Sequence, residues 1–356
     1  MTWGNTVLTW DVDRGTYLGE REGCGIASTV LAYAADGRSL YSTSARSALL
    51  RWPLAAGAKP EPVTLTYRDG QRAEPSPSHG WDRALAFSAD GRRLATSLAP
   101  SFKYDVAIFD LPGGGQALRS DSRADEESYL VWSGDAKWLA MRGNYGGREL
   151  IPGPFRLIDT ATGQHRRLPI DVRHHTDGGF TADSSTLAVI HNRPNPPAGT
   201  AVRAELRVVA WDLGRDRVRT EGSVVNAWNG WWRAVHPGPD NRTVVLLVTT
   251  LDGMAAILWD VDTGREVRRT ALPFTRDPSC EPAAAPGGGV VAVAGTTREG
   301  RPVLALLRGP RLDLTLHPTG HRGEITTLTF SPDGRSLATG GDDTTILVRP
   351  VPTTGQ

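Results

Sequence analysis

The chain has 356 residues with 40 basic and 39 acidic side chains, a formal net charge of +1, which argues against long-range attraction to nucleic acid or an anionic membrane. Apolar residues at 39% supply packed cores, and charged residues at 22% are too few for wholesale disorder. The 40 glycines and 25 prolines disfavour long helices and favour many short strands joined by turns.

The N-terminal MTWGNTVLTW has no basic segment followed by an apolar run, and no apolar stretch reaches the roughly eighteen residues of a membrane span, so a cytoplasmic protein is expected. Residues 6–12 (TVLTWDV) and 13–20 (DRGTYLGE) read as two extended segments. Cys24 and Cys280 have no Cys or His neighbour at zinc-finger spacing and cannot form a disulfide framework; both read as small core or loop residues.

From residue 31 one phrase recurs. LAYAADGRSLYSTS (31–44) places two strands about an Asp-Gly turn, and LAFSADGRRLATSL (85–98) repeats it. LVWSGDAKWLAMRG (130–143), GGFTADSSTLAVIH (178–191), AVHPGPDNRTVVLLV (234–248), AAAPGGGVVAVAG (283–295) and the unit from Gly320 to Val351 complete seven copies. Their turn centres fall near 36, 90, 135, 183, 240, 287 and 333, at intervals of 45 to 57 residues. Each copy leads into a third strand ending at Arg51-Trp52, Phe109-Asp110, Ile158-Asp159, Trp211-Asp212, Trp259-Asp260, Leu307-Arg308 or Arg349-Pro350. A further extended segment follows most of them, as in VDTGREVRRTALP (261–273). Four short strands per unit make a sheet that buries both faces only when neighbours pack around an axis. The expected fold is therefore all-β, a seven-bladed β-propeller of four-stranded antiparallel blades in one domain spanning 1–356.

In its Gly320-His321, Ser331 to Gly334 and Trp211-Asp212 and Trp259-Asp260 signatures the pattern resembles WD-repeat β-propeller proteins, most closely bacterial ones, over nearly the whole chain. The resemblance implies a structural tetrad of His, Ser or Thr, Asp and Trp in each blade. In the last repeat the matching residues are His321, Thr339, Asp343 and, in place of Trp, Arg349; the other repeats mostly lose the His. Trp211 and Trp259, at the repeat signature, read as core.

Residues 6–12 match 344–351 as a third strand, which gives eight third-strand segments for seven units. Closure of the last blade by the N-terminal 1–20 segment is the simpler account, and a chain that starts within a repeat is the other.

No catalytic constellation stands out. His174-His175-x-Asp177 lacks a third metal ligand, Gly113 to Gly115 and Gly287 to Gly289 lack the Lys-Ser/Thr of a phosphate loop, and there is no Gly-x-Ser-x-Gly elbow. No catalytic residue, metal or cofactor is expected. Insertions fall between second and third strands (98–105, 142–155, 191–206, 251–256) and between blades (69–81, 171–178, 221–232). In an antiparallel blade these connections share one end of the ring, and long loops on a rigid scaffold carry binding function.

The aromatic and arginine content of these loops nominates Tyr104, Arg142, Tyr145, Arg193, Trp228, Trp231 and Trp232 as partner-binding residues. Trp231 and Trp232 have a second reading, as groove-filling replacements for the lost His and Trp contacts. The expected function is a non-catalytic, monomeric scaffold that binds a protein or peptide, with no nucleic-acid or membrane partner. The alternatives are a propeller hydrolase or lactonase with a site at the central channel mouth, and the sensory or docking part of a larger signalling protein.

Overall fold

The computed structural model describes residues 6–11, 16–22, 28–44, 49–55, 57–73, 85–98, 104–124, 128–143, 155–170, 176–192, 205–225, 233–250, 252–274, 278 and 280–352. They form seven blade sheets around a ring and one two-stranded hairpin, with strands a to d in chain order in blades 1 to 6. Blade 1 holds Ser28–Tyr33, Ser39–Ser44, Leu49–Pro53 and Glu61–Pro62. Blades 2 to 6 begin at strands Leu85–Phe87, Ser128–Trp132, Thr176–Phe180, Arg233–Pro237 and Ala283–Ala284. Blade 7 begins at Ile325–Phe330 and continues through Ser336–Gly341 and Thr345–Pro350. The a strands of blades 2 to 7 pack on one another in succession, and that of blade 7 packs on that of blade 1.

The apolar alternation of each strand places its side chains on the two faces of a blade, so every gap between blades receives its own core. Seven clusters fill the seven gaps. Among the described residues the gaps between blades 4 and 5 and between blades 5 and 6 each hold 13 buried apolar side chains. The gap between blades 7 and 1 holds six: Leu31, Tyr33, Leu40, Trp52, Ala338 and Ile346.

Strands c and d brace the next blade. Thr220 Oγ1 donates to the Val261 carbonyl at 2.7 Å, Thr270 Oγ1 to that of Leu312 at 3.3 Å, and Arg308 Nη2 to that of Pro352 at 2.6 Å. Each acceptor lies just past strand c of the following blade, so the brace repeats with the architecture.

The structure departs from the sequence reading in three places. Thr6–Asp11 lies against strand c of blade 7 and runs parallel to it, pairing Thr6, Val7 and Leu8 with Thr345, Ile346 and Leu347. Thr16–Glu22 adds a fifth strand outside it. The N-terminal segment thus occupies fourth place in the sheet, where it was matched to a third strand, and it is parallel where the other six fourth strands are antiparallel.

The second departure is at 251–256. Strands Thr243–Thr250 and Gly253–Asp260 pair as far as Thr250 with Gly253, so the supposed insertion is a tight turn between two long strands. The third is at 69–81, expected with the other insertions at one end of the ring. Its described start belongs to a hairpin, Leu65–Thr66 with Arg72–Ala73, that docks on the turn between strands c and d of blade 2. The Thr66 amide donates to the Gly114 carbonyl at 2.8 Å and Arg68 Nη2 to that of Ala117 at 2.6 Å. A Cβ at Gly114, where φ is +72°, would overlap the Thr64 carbonyl oxygen, so this approach requires glycine.

Candidate functional site

Antiparallel order gives the ring two unlike ends. The connections from a to b and from c to d emerge at one, those from b to c and from d to the next a at the other.

The first end is built from the recurring phrase. In blades 2, 3, 4 and 7 a hydroxyl two residues before the aspartate donates to its Oδ1: Ser88 to Asp90 at 2.6 Å, Ser133 to Asp135 at 2.7 Å, Thr181 to Asp183 at 2.7 Å and Ser331 to Asp333 at 2.6 Å. The same Oδ1 accepts the amide two residues on, from Arg92, Lys137, Ser185 and Arg335. The hydroxyl oxygen in turn accepts the amide of the residue that follows, closing the turn, as Trp138 does to Ser133 at 2.9 Å. These bonds favour the ionised aspartate. The Ser331 hydroxyl and Arg335 amide hold Asp333 below the usual carboxylate range. Burial pushes Asp135 upward, but its bonds from Ser133 and the Lys137 amide outweigh it and the carboxyl ends below that range. Adjacent turns touch: a Cβ at Gly91 would overlap the Tyr33 carbonyl oxygen. Locked carboxylates with satisfied partners make this end a structural surface.

The end of strand c explains what the repeats keep and lose. Trp52, Phe109, Ile158, Trp211, Trp259, Leu307 and Arg349 stand opposite Leu40, Leu94, Leu139, Leu187, Val244, Val291 and Leu337 on strand b. Trp52 Nε1 donates to Ser42 Oγ at 2.8 Å, two residues along strand b. The corresponding residue in blade 5 is Leu246, so Trp259, fully buried, has an indole N–H without an acceptor. In blade 4 it is Val189, and Trp211 Nε1 turns to Asp216 Oδ1 at 3.2 Å. Both tryptophans are in the core.

In blade 7 the imidazole of His321 replaces the indole as the partner of the strand-b hydroxyl. Thr339 Oγ1 lies 2.8 Å from His321 Nε2, and Asp343 Oδ1 lies 3.1 Å from Nδ1. Asp343 already accepts from Thr345 Oγ1 at 2.7 Å and from the Arg322 amide at 2.7 Å. A neutral imidazole with its proton on Nδ1 satisfies every group: the threonine donates to Nε2 and Nδ1–H donates to the carboxylate. Burial holds His321 below the ordinary imidazole value, with Asp343 only partly opposing it. Arg349 sends Nη1 to the Pro318 carbonyl at 2.7 Å and Nη2 to that of Thr319, which fastens the segment that delivers His321.

The second end carries the connections of variable length. Tyr104 opens strand c of blade 2, its Cα opposite Ala124, and Arg142 stands near the end of strand b of blade 3, opposite Tyr129. Both backbones are therefore at this end. Tyr145, Arg193, Trp228, Trp231 and Trp232 lie outside the described residues, as do His174 and His175. Strands that flank those segments are fixed at this end, as the pairing of Asn192 with Leu206 illustrates.

Sequence reasoning did not nominate three buried ionisable groups at this end: Arg156 at 7% exposure, Asp177 at 3% and His191 at 3%. Asp177, considered only as part of a metal cluster, is the second residue of strand a of blade 4 and accepts the Gly178 amide at 2.6 Å. The signal in the sequence was a charged residue at a strand position that other repeats fill with an apolar or small one. Among the described residues no three metal-binding side chains converge, and no helix is long and apolar enough to cross a membrane.

The family described as WD domain, G-beta repeat matches residues 313–348, from strand d of blade 6 through strand c of blade 7. Among solved structures the chain is similar to Kuenenia stuttgartiensis hydrazine synthase, with 15% identity, a TM-score of 0.61, and coverage of 91% of this chain and 96% of the other. At that identity the likeness concerns the fold alone. No curated protein sequence matches the chain.

Proposed function

We propose that the chain, whose residues 313–348 match the WD-repeat model, is a WD-repeat β-propeller protein, and that it is a non-catalytic scaffold binding a protein or peptide through the end of the ring that carries its b-to-c and d-to-a connections. The observation that carries this reading is the difference between the two ends. One is spent on closing turns whose carboxylates, hydroxyls and amides satisfy one another. The other receives the connections whose lengths vary from blade to blade, and beneath it lie Arg156, Asp177 and His191. Recognition surfaces gather where a rigid framework presents loops of free length and composition. The aromatic and arginine side chains of those segments can desolvate area while keeping directed hydrogen bonds. The proposal includes a monomer in the cytoplasm, with no nucleic-acid or membrane partner.

The test is affinity capture with the intact chain. Alanine at Trp228, Trp231 and Arg193 together should abolish recovery of the partner while leaving the circular dichroism and melting of the ring unchanged. Undiminished recovery would place recognition elsewhere.

A further inference from the structure

Three basic side chains meet in the outer part of the gap between blades 6 and 7. His317, on strand d of blade 6 (Asp313–Pro318), stands opposite Leu304, and Arg308 on strand c lies on the same face as Leu304 and Leu306. Arg349 stands opposite Leu337. Leu304, Leu306 and Leu337 belong to the cluster that fills this gap, so all three basic groups face into it. Arg308 reaches across to the Pro352 carbonyl at 2.6 Å, and Arg349 reaches back to those of Pro318 and Thr319.

None of these three groups forms an ion pair with a carboxylate among the described residues. Asp313, opposite Arg308 in register, is engaged by Arg311 at 3.3 Å. Other gaps solve the same problem differently. Arg166 of blade 3 ends on Asp216 of blade 4 at 2.7 Å, and Arg219 Nε of blade 4 on Asp262 of blade 5 at 2.7 Å. Two half-buried guanidinium groups held against neutral carbonyls have given up part of their water without gaining an opposite charge, which leaves a local excess of positive potential. Burial keeps both arginines below their ordinary range, and His317 is held down first by burial and then by the two arginine charges.

We propose that this gap is a binding site for a single oxyanion, a carboxylate or phosphate group, received by the unused donors of Arg308 and Arg349 with His317 beside them. The planar fork of arginine suits either group, because both present two oxygens at the spacing of its paired N–H bonds. The oxyanion comes either from a free ion or from an acidic side chain of a protein segment lying along the rim. This site is separate from the segments that carry the proposed function, and the two stand or fall independently.

Histidine-labelled full-length protein, with the His317 ring signals identified by His317→Gln, is titrated with inorganic phosphate against chloride at constant ionic strength. A second titration uses a hexaglutamate peptide. Saturable movement of the His317 signals is expected, and Arg308→Gln should weaken it by roughly tenfold or more, the scale of one lost charge-assisted pair. Movement with phosphate alone identifies a phosphoryl group, and movement with both identifies oxyanions in general. Arg308→Lys, which keeps the charge and loses the fork, must also weaken binding and serves if the glutamine variant does not fold. No movement with either probe, or equal movement in the Arg308 variants, overturns the proposal.

Discussion

The amide of Leu31 donates a 3.1 Å hydrogen bond to Thr327 Oγ1, joining the a strands of blades 1 and 7 across 296 positions of the chain. Both residues are buried, at 4% and 6% exposure, beside an apolar cluster that holds six buried side chains among the described residues. Thr327→Val keeps the shape and removes the acceptor, leaving a buried amide unpaired at a cost of about 1–3 kcal/mol. The expected readout is a lower urea midpoint with an unchanged slope. Thr329→Val, where the hydroxyl makes only a 3.5 Å contact with the Phe330 carbonyl, should change the midpoint little. Equal effects of the two substitutions would deny the seam bond its role.

The N-terminal strands are expected to hold the ring closed. Removing residues 1–22 uncovers the edge of Thr345–Pro350 and takes away two strands of its sheet. The truncated chain should melt at a lower temperature and lose its single cooperative transition. Melting identical to that of the full chain would show that blades 1 and 7 need no such clasp.

Two tryptophans at equivalent positions should differ in what their indole N–H contributes. Trp52→Phe breaks the bond to Ser42 and strands a buried hydroxyl, whereas Trp259→Phe removes a donor that has no acceptor. Loss of ring volume is common to both, so Trp52→Phe should cost about 1 kcal/mol more. Chemical denaturation of the two variants measures the difference, and a larger loss at Trp259 would contradict it.

Acid should loosen the last blade through His321. Its folded pKa lies below the ordinary 6.5 because of burial, so between the two values the unfolded chain binds more protons than the folded one. Stability therefore falls as pH drops below about 6.5 and levels off once the folded value is passed. Asp343 has its pKa lowered and loses its contribution only below the carboxylate range, outside this window. His321→Gln should flatten the denaturation midpoint between pH 7 and 5.5 relative to wild type. His317, lowered by burial and the charges of Arg308 and Arg349, titrates in the same direction, and the His317→Gln background separates the two.

The repeat was legible because one phrase maps onto one hairpin. The spacing of Asp36, Asp90, Asp135, Asp183, Asp240 and Asp333 gave the blades. The residues that end strand c, from Trp52 to Arg349, fall at one register position in all seven blades. What stayed hidden depends on neighbours distant in the chain. Nothing local tells that the segment after Val63 will dock on the Gly114 turn of blade 2. Equally, TVLTWDV resembles a third strand in composition, yet its direction in the sheet is set by what it meets. The long strands of blade 5 looked like an insertion because Asp252-Gly253 suits a loop and a tight hairpin equally. Of the candidate site, the choice of end followed from antiparallel order, and the ionisable groups beneath it did not.

His191 and Arg207, then Asn192 and Leu206, face each other across adjacent strands where a long b-to-c connection leaves blade 4 and returns. Departure and return are thus one strand spacing apart, whatever lies between them. Closing a longer excursion costs only a slowly growing entropy, roughly 0.6 kcal/mol for each doubling of length. This blade can therefore be re-equipped as a display platform: a foreign peptide or a small folded module spliced between Asn192 and Glu205 should leave the ring intact.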